Sequence, residues 1–78
     1  MKTYNRKAFL VPDSPRTMAA IHCKVQDDGI MKVTIHDCKG AIQLHNDLNS
    51  DEERLEAIYK LTALESEIRS LINHLINL

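Results

Sequence analysis

Residues 49–78 read NSDEERLEAIYKLTALESEIRSLINHLINL, a run without a glycine or a proline. Leu61, Leu64, Ile68, Leu71, Leu75 and Leu78 recur at alternating spacings of three and four, and Ile58, Ile72 and Ile76 widen the stripe. That period belongs to one face of a helix and not to a strand. Asn49 or Ser50 supplies the cap, and Glu53 stands three residues beyond Ser50 as a capping box requires. Asp51, Glu52 and Glu53 fill the first turn, where the helix dipole favours negative charge. Glu56 with Lys60 and Glu65 with Arg69 are i,i+4 pairs in the favourable order. The spacing predicts a helix over 50–77, a rod of roughly 42 Å.

Working back from that helix, the remainder reads as the sheet it must cover. The expected strands are 4–11, 18–26, 30–37 and 41–46. Pro12-Asp13-Ser14-Pro15 closes the first, because proline fixes φ and gives no N–H to a ladder. Asp27-Asp28-Gly29 marks a hairpin, and its register follows from the side-chain pattern. A two-residue loop would mix apolar and polar residues on both faces. A three-residue loop pairs Val25 with Met31, Cys23 with Val33 and Ile21 with Ile35. One face then carries Ile21, Cys23, Val25, Met31, Val33 and Ile35; the other carries His22, Lys24, Gln26, Ile30, Lys32 and Thr34. A second turn at Lys39-Gly40, with Cys38 opposite Ala41, puts Ile42 and Leu44 on the apolar face and Gln43 and His45 on the polar one. The first strand adds at an edge, with either Phe9 and Val11 or Ala8 and Leu10 turned inward. The fold class is α+β: a small antiparallel meander of three to four strands covered by one long C-terminal helix, residues 1–78 forming a single domain.

Such a sheet spans only ~20–30 Å along its strands. Leu55, Ile58 and Leu61, with Leu64 at the margin, therefore belong to the core, and the far end of the helix overhangs. Exposed apolar side chains in that number need a partner. Leu64, Ile68, Leu71, Ile72, Leu75, Ile76 and Leu78 are the expected self-association residues. A homodimer is the simplest occupant, with a different protein, or a helix break that folds the tail back, as the alternatives; antiparallel pairing would let each tail cover its neighbour's sheet.

Ten basic and eleven acidic residues give a net charge of −1. Residues 1–49 carry seven positive and five negative groups and residues 50–78 three and six, so the sheet is about +2 and the helix about −3. This balance gives no overall pull toward nucleic acid or an anionic membrane. No apolar run is long enough for a membrane span or a secretion signal, so the expected compartment is the cytoplasm. Two cysteines do not make a disulfide scaffold, and there they would be reduced.

Nothing points to an enzyme. Ser14, Ser50, Ser66 and Ser70 have no His and acid at motif spacing, and both glycines are used in turns. No catalytic residue or cofactor is assigned. The expected partner-binding residues are His22, Lys24, Lys32, His36 and His45 on the outer sheet face, where Lys24 and Lys32 oppose each other. Aligned imidazoles there could carry pH-sensitive contacts. No metal is assigned; a zinc site, if one existed, would use His22, His36, Cys38 and His45, since imidazole and thiolate suit that ion. Cys23 is expected in the core and Cys38 outward, which excludes an unstrained bridge between them. No aromatic platform is expected beside the lysines, which disfavours nucleic acid.

The hairpin of residues 19–37 with its Asp27-Asp28-Gly29 turn, the strand after Gly40, and Asn49-Ser50-Asp51-Glu52-Glu53 opening the helix resemble the layout of some small phage-encoded anti-CRISPR proteins. The likeness is one of element order and covers about three quarters of the chain, without a shared motif. It implies a non-enzymatic inhibitor that occupies a surface of a host defence complex. The unbroken helix departs from compact members, and no functional residue is carried over. Two functions stand as expectations: a protein-binding inhibitor or adaptor, and a dimeric nucleic-acid-binding regulator using Lys24, Lys32, Arg6 and Lys7 on phosphates.

Overall fold

In the computed structural model, which describes residues 1–11, 13 and 18–78, four strands precede one helix. They are β1 (Tyr4–Phe9), β2 (Ala20–Val25), β3 (Ile30–Asp37), β4 (Gly40–Asp47) and α1 (Asp51–Ile76). The strands form one antiparallel meander in the order β1-β2-β3-β4. The expected turn at Pro12-Asp13-Ser14-Pro15 lies, apart from Asp13, outside the described residues.

The β2–β3 register is the one expected from the clean separation of faces: Ile21 opposes Ile35, Cys23 opposes Val33 and Val25 opposes Met31. Gly29 holds the left-handed position of that loop at φ +82°. The Gln26 N–H donates to the Ile30 carbonyl at 2.9 Å, and the Ile30 N–H donates to the Asp28 carboxylate at 3.1 Å. The β3–β4 turn differs from expectation. Asp37 pairs with Gly40 and His36 with Ala41, so the loop is Cys38-Lys39 and not Lys39-Gly40. The Asp37 carboxylate accepts from the Lys39 N–H at 2.8 Å, a local bond that starts the turn one residue earlier. The register moves by two residues. Because the side-chain period of a strand is two, Ile42 and Leu44 keep to the inner face while their neighbours change.

β1 continues the sheet beside β2, with Tyr4 opposite Val25, Arg6 opposite Cys23 and Ala8 opposite Ile21. This places Tyr4, Arg6 and Ala8 on the inner side. Asn5, Lys7 and Phe9 fall on the outer side, and Phe9 is 55 % exposed. The expected inward burial of Phe9 and Val11 does not occur; of the two alternatives only Ala8 turns inward, and Leu10 and Val11 are half exposed.

Ser50 caps α1, its hydroxyl accepting the Glu53 N–H at 3.1 Å. Glu53 answers one residue earlier than a regular capping box, accepting from the Asn49 N–H at 3.1 Å. The core beneath the helix is small: Met31, Val33, Leu48 and Ala57, ringed by half-buried Ile21, Cys23, Val25, Ile35, Leu44 and Leu61. The sheet-facing stripe is Ala57, Leu61 and Leu64. Leu55 and Ile58, expected in the core, are 48 % and 55 % exposed. Ala57, 3 % exposed, sets the closest approach, and at 100° per residue Leu55 is turned roughly 160° away from it. The small side chain brings the helix down where a leucine would hold it off.

The helix makes its close backbone approach to β4. There the Lys60 ammonium donates to the side-chain oxygen of buried Asn46 and, at 3.3 Å, to the His45 carbonyl. Lys60 is thus drawn to the sheet and forms no pair with Glu56. Among the described residues the ion pairs are Arg54 with Asp51 at 3.0 Å and His45 with Asp47 at 3.9 Å, so the expected Glu65–Arg69 pair is absent as well. No helix among the described residues is long and apolar enough to cross a membrane.

Candidate binding surfaces

Among the described residues two surfaces are left largely open, although Ala20 on the first is fully buried, and the register determines what each presents. On the outer face, cross-strand rows run over all four strands. One is Asn5, Lys24, Lys32 and His45; the next is Lys7, His22, Thr34 and Gln43; the third is Phe9, Ala20, His36 and Ala41. The expected binding residues His22, Lys24, Lys32, His36 and His45 therefore do share one face. Lys24 and Lys32 face each other directly. Asp47 is the one acidic residue facing outward from the strands, at the β4 rim, where it stands 3.9 Å from His45.

Lys7 and Phe9 belong to this face as well, which the sequence left open because β1 had no fixed register. The Lys7 ammonium sits 5.5 Å from the centroid of the Phe9 ring, a cation–π contact along one strand. Arg6, grouped with the lysines on sequence, lies on the opposite side of the sheet. The His22 ring bonds Asn5 across the strand, Nε2 to Oδ1 at 2.6 Å, which orients it toward the β1 edge.

The two-residue register shift separates the imidazoles. With Cys38 opposite Ala41, His45 would stand diagonal to His36. With His36 opposite Ala41, His45 faces Lys32, four residues along from His36 and roughly 13 Å away. Cys38 sits in the exposed turn and not on the outer face. His22, His36, Cys38 and His45 are consequently not gathered. Among the described residues no group of three or more His, Cys, Asp or Glu side chains could hold a metal ion.

The second surface lies on the inner face. Because α1 sits toward β4, the β1–β2 half of the sheet stays open beside it. Tyr4, Ile21, Cys23 and Val25 from the sheet and Leu61 and Leu64 from the helix line an apolar cleft of about 220 Å³. Cys23, expected as core, is half-buried at its wall. Sequence reasoning missed this cleft because it let the helix cover the whole sheet. Beyond it the overhanging stripe runs on: Ile68, Leu71, Ile72, Leu75, Ile76 and Leu78 are 46–87 % exposed.

No protein-family model, curated protein or solved structure matches the chain.

Proposed function

We propose that this chain is a non-enzymatic, homodimeric protein-binding module of the cytoplasm, which meets an acidic surface of its partner with the outer face of its sheet. The observation that carries the reading is the grouping of Lys7, Lys24 and Lys32 with His22, His36 and His45 on one face, with a single carboxylate at its rim. Lys24 directly opposite Lys32 is a like-charge pair that costs stability in the isolated sheet. An acidic partner would convert that cost into attraction and steer the encounter. Within this class, the resemblance in element order to some small anti-CRISPR proteins supports a phage-borne inhibitor that would occupy a host defence complex.

A second reading, a nucleic-acid-binding regulator, gains support from Phe9 beside Lys7 on the same face, one aromatic next to the cations. One experiment separates the two. The tagged chain and a Lys24→Glu/Lys32→Glu variant are used to capture partners from nuclease-treated host extract. Capture of a defined protein or complex by the unmutated chain, lost in the variant, is the expected result. Loss of all binding on nuclease treatment, together with duplex affinity falling with salt at a log–log slope of about −3 for three lysines, would establish the second reading instead.

A further inference from the structure

The chain exposes far more surface than a compact protein of its mass. Its accessible area is 6410 Å², against ~4,800 Å² expected for a folded monomer of this mass. Its radius of gyration is 14.6 Å, against ~11.5 Å for a compact domain of this length. Among the described residues no large side chain is fully buried. Part of the excess lies in the cleft along β1 and β2 and on the overhanging end of α1, where Ile68, Leu71, Ile72, Leu75, Ile76 and Leu78 are 46–87 % exposed.

We propose that two copies exchange these features: the C-terminal half of each helix lies in the cleft between α1 and the β1–β2 half of the other copy's sheet. The inference rests on the homodimer named above and deepens it by assigning the contact. Three observations select a second copy as the occupant. The cleft is lined by Tyr4, the thiol of Cys23, Met31 and aliphatic side chains, with Lys24 at its margin, and the same chain carries the unsheathed aliphatic stripe that would fill it. A two-fold arrangement uses each feature twice and leaves neither over. The exposed parts of Ile68, Leu71, Ile72, Leu75, Ile76 and Leu78 amount to roughly 600–700 Å² per chain, and the cleft walls bring the total to the ~800 Å² per partner of a stable interface. Charge agrees. The entering helix segment carries Glu65, Glu67 and Arg69, a net −1, and the edge strand bounding the cleft carries Arg6 on the same inner face; none of the four forms an ion pair among the described residues.

The outer sheet faces take no part in this contact. Each would remain free in the dimer, giving the assembly two basic faces.

Sedimentation equilibrium of the full chain from ~1 to ~100 μM is expected to give twice 8.9 kDa, and Leu71→Glu/Leu75→Glu to return the monomer mass. The contact itself is read by isotope-filtered NOEs in a dimer mixed from labelled and unlabelled chains, which needs no variant. Methyl contacts from Leu71, Ile72 and Leu75 of one copy to Ile21 and Val25 of the other are expected. A monomer at ~100 μM would overturn both the dimer and the exchanged contact. A dimer whose intermolecular NOEs run only from helix to helix would leave the homodimer standing and overturn the seating of the helix in the cleft.

Discussion

Replacing Gly29 with alanine tests how the direction of the helix is set. Gly29 has φ +82°, and its carbonyl accepts the Leu48 N–H at 2.7 Å, so the β2–β3 turn is stitched to the segment that launches α1. A Cβ built there meets the Asn49 side chain, 2.0 Å from Oδ1 and 2.9 Å from Cγ. The left-handed backbone costs an alanine about 1–2 kcal/mol. Moving Asn49 off its rotamer costs about 0.5–1.5 kcal/mol more, because its backbone N–H is held by the Glu53 carboxylate. Gly29→Ala should therefore lose ~2–3 kcal/mol, a drop of roughly 8–24 °C in Tm for a domain of this size. Asn49→Ala in the same background should recover the steric part and leave the conformational part. Gly40 is the contrast: at φ +159° an alanine is strained there too, but a Cβ meets nothing within 4 Å, so Gly40→Ala should carry a conformational cost of about 1–3 kcal/mol and no steric one. Urea unfolding followed by circular dichroism, at one protein concentration because an oligomer's stability depends on it, measures all four proteins. A Gly29→Ala loss that Asn49→Ala does not lessen would refute the reasoning.

Three further outcomes follow from the packing. Val33, 4 % exposed under the helix, should not tolerate aspartate, since Val33→Asp buries an unpaired carboxylate, whereas Thr34→Asp on the outer face should fold; circular dichroism and urea midpoints decide. Lys60→Met keeps the side-chain stem but removes the donor to buried Asn46, and should cost about 1–3 kcal/mol in the same unfolding assay. Lys24→Glu relieves the pair with Lys32 and should raise stability by ~0.2–1 kcal/mol while lowering partner capture, an opposition that a merely solubilising face would not produce.

The helix and the central hairpin were legible because each rests on a repeated pattern. Alternating three- and four-residue spacing leaves no choice of element, and only one loop length at Asp27-Asp28-Gly29 sorts six side chains onto one apolar face. The β3–β4 register was not legible, because a shift of two preserves the faces and so leaves the hydrophobic pattern unchanged; the Asp37 bond to the Lys39 N–H decides it. That shift is enough to take His45 away from His36 and to dissolve the zinc constellation. The helix face was misjudged for a similar reason. Leu55 and Ile58 outweigh Ala57 in any count of hydrophobicity, yet the alanine permits the closest approach and so fixes which side turns inward. The co-facial histidines and lysines needed only strand parity, and there the sequence sufficed.

The two uncovered surfaces differ in what they can accept, and this separates their roles. Two outer faces brought together would oppose lysine rows to lysine rows, a juxtaposition that costs several kcal/mol and suppresses pairing of the chain with itself. The edge strand β1 adds Arg6 and Lys7, charges of the kind that keep sheet edges from joining end to end. In the proposed dimer, self-association would use the inner side, where the cleft and the helix stripe carry apolar area that two copies could bury. The outer face, held away from that contact, stays available to a molecule of opposite charge. Under the proposed function, assembly and partner binding would draw on opposite sides of one four-stranded sheet, so neither would compete with the other for surface.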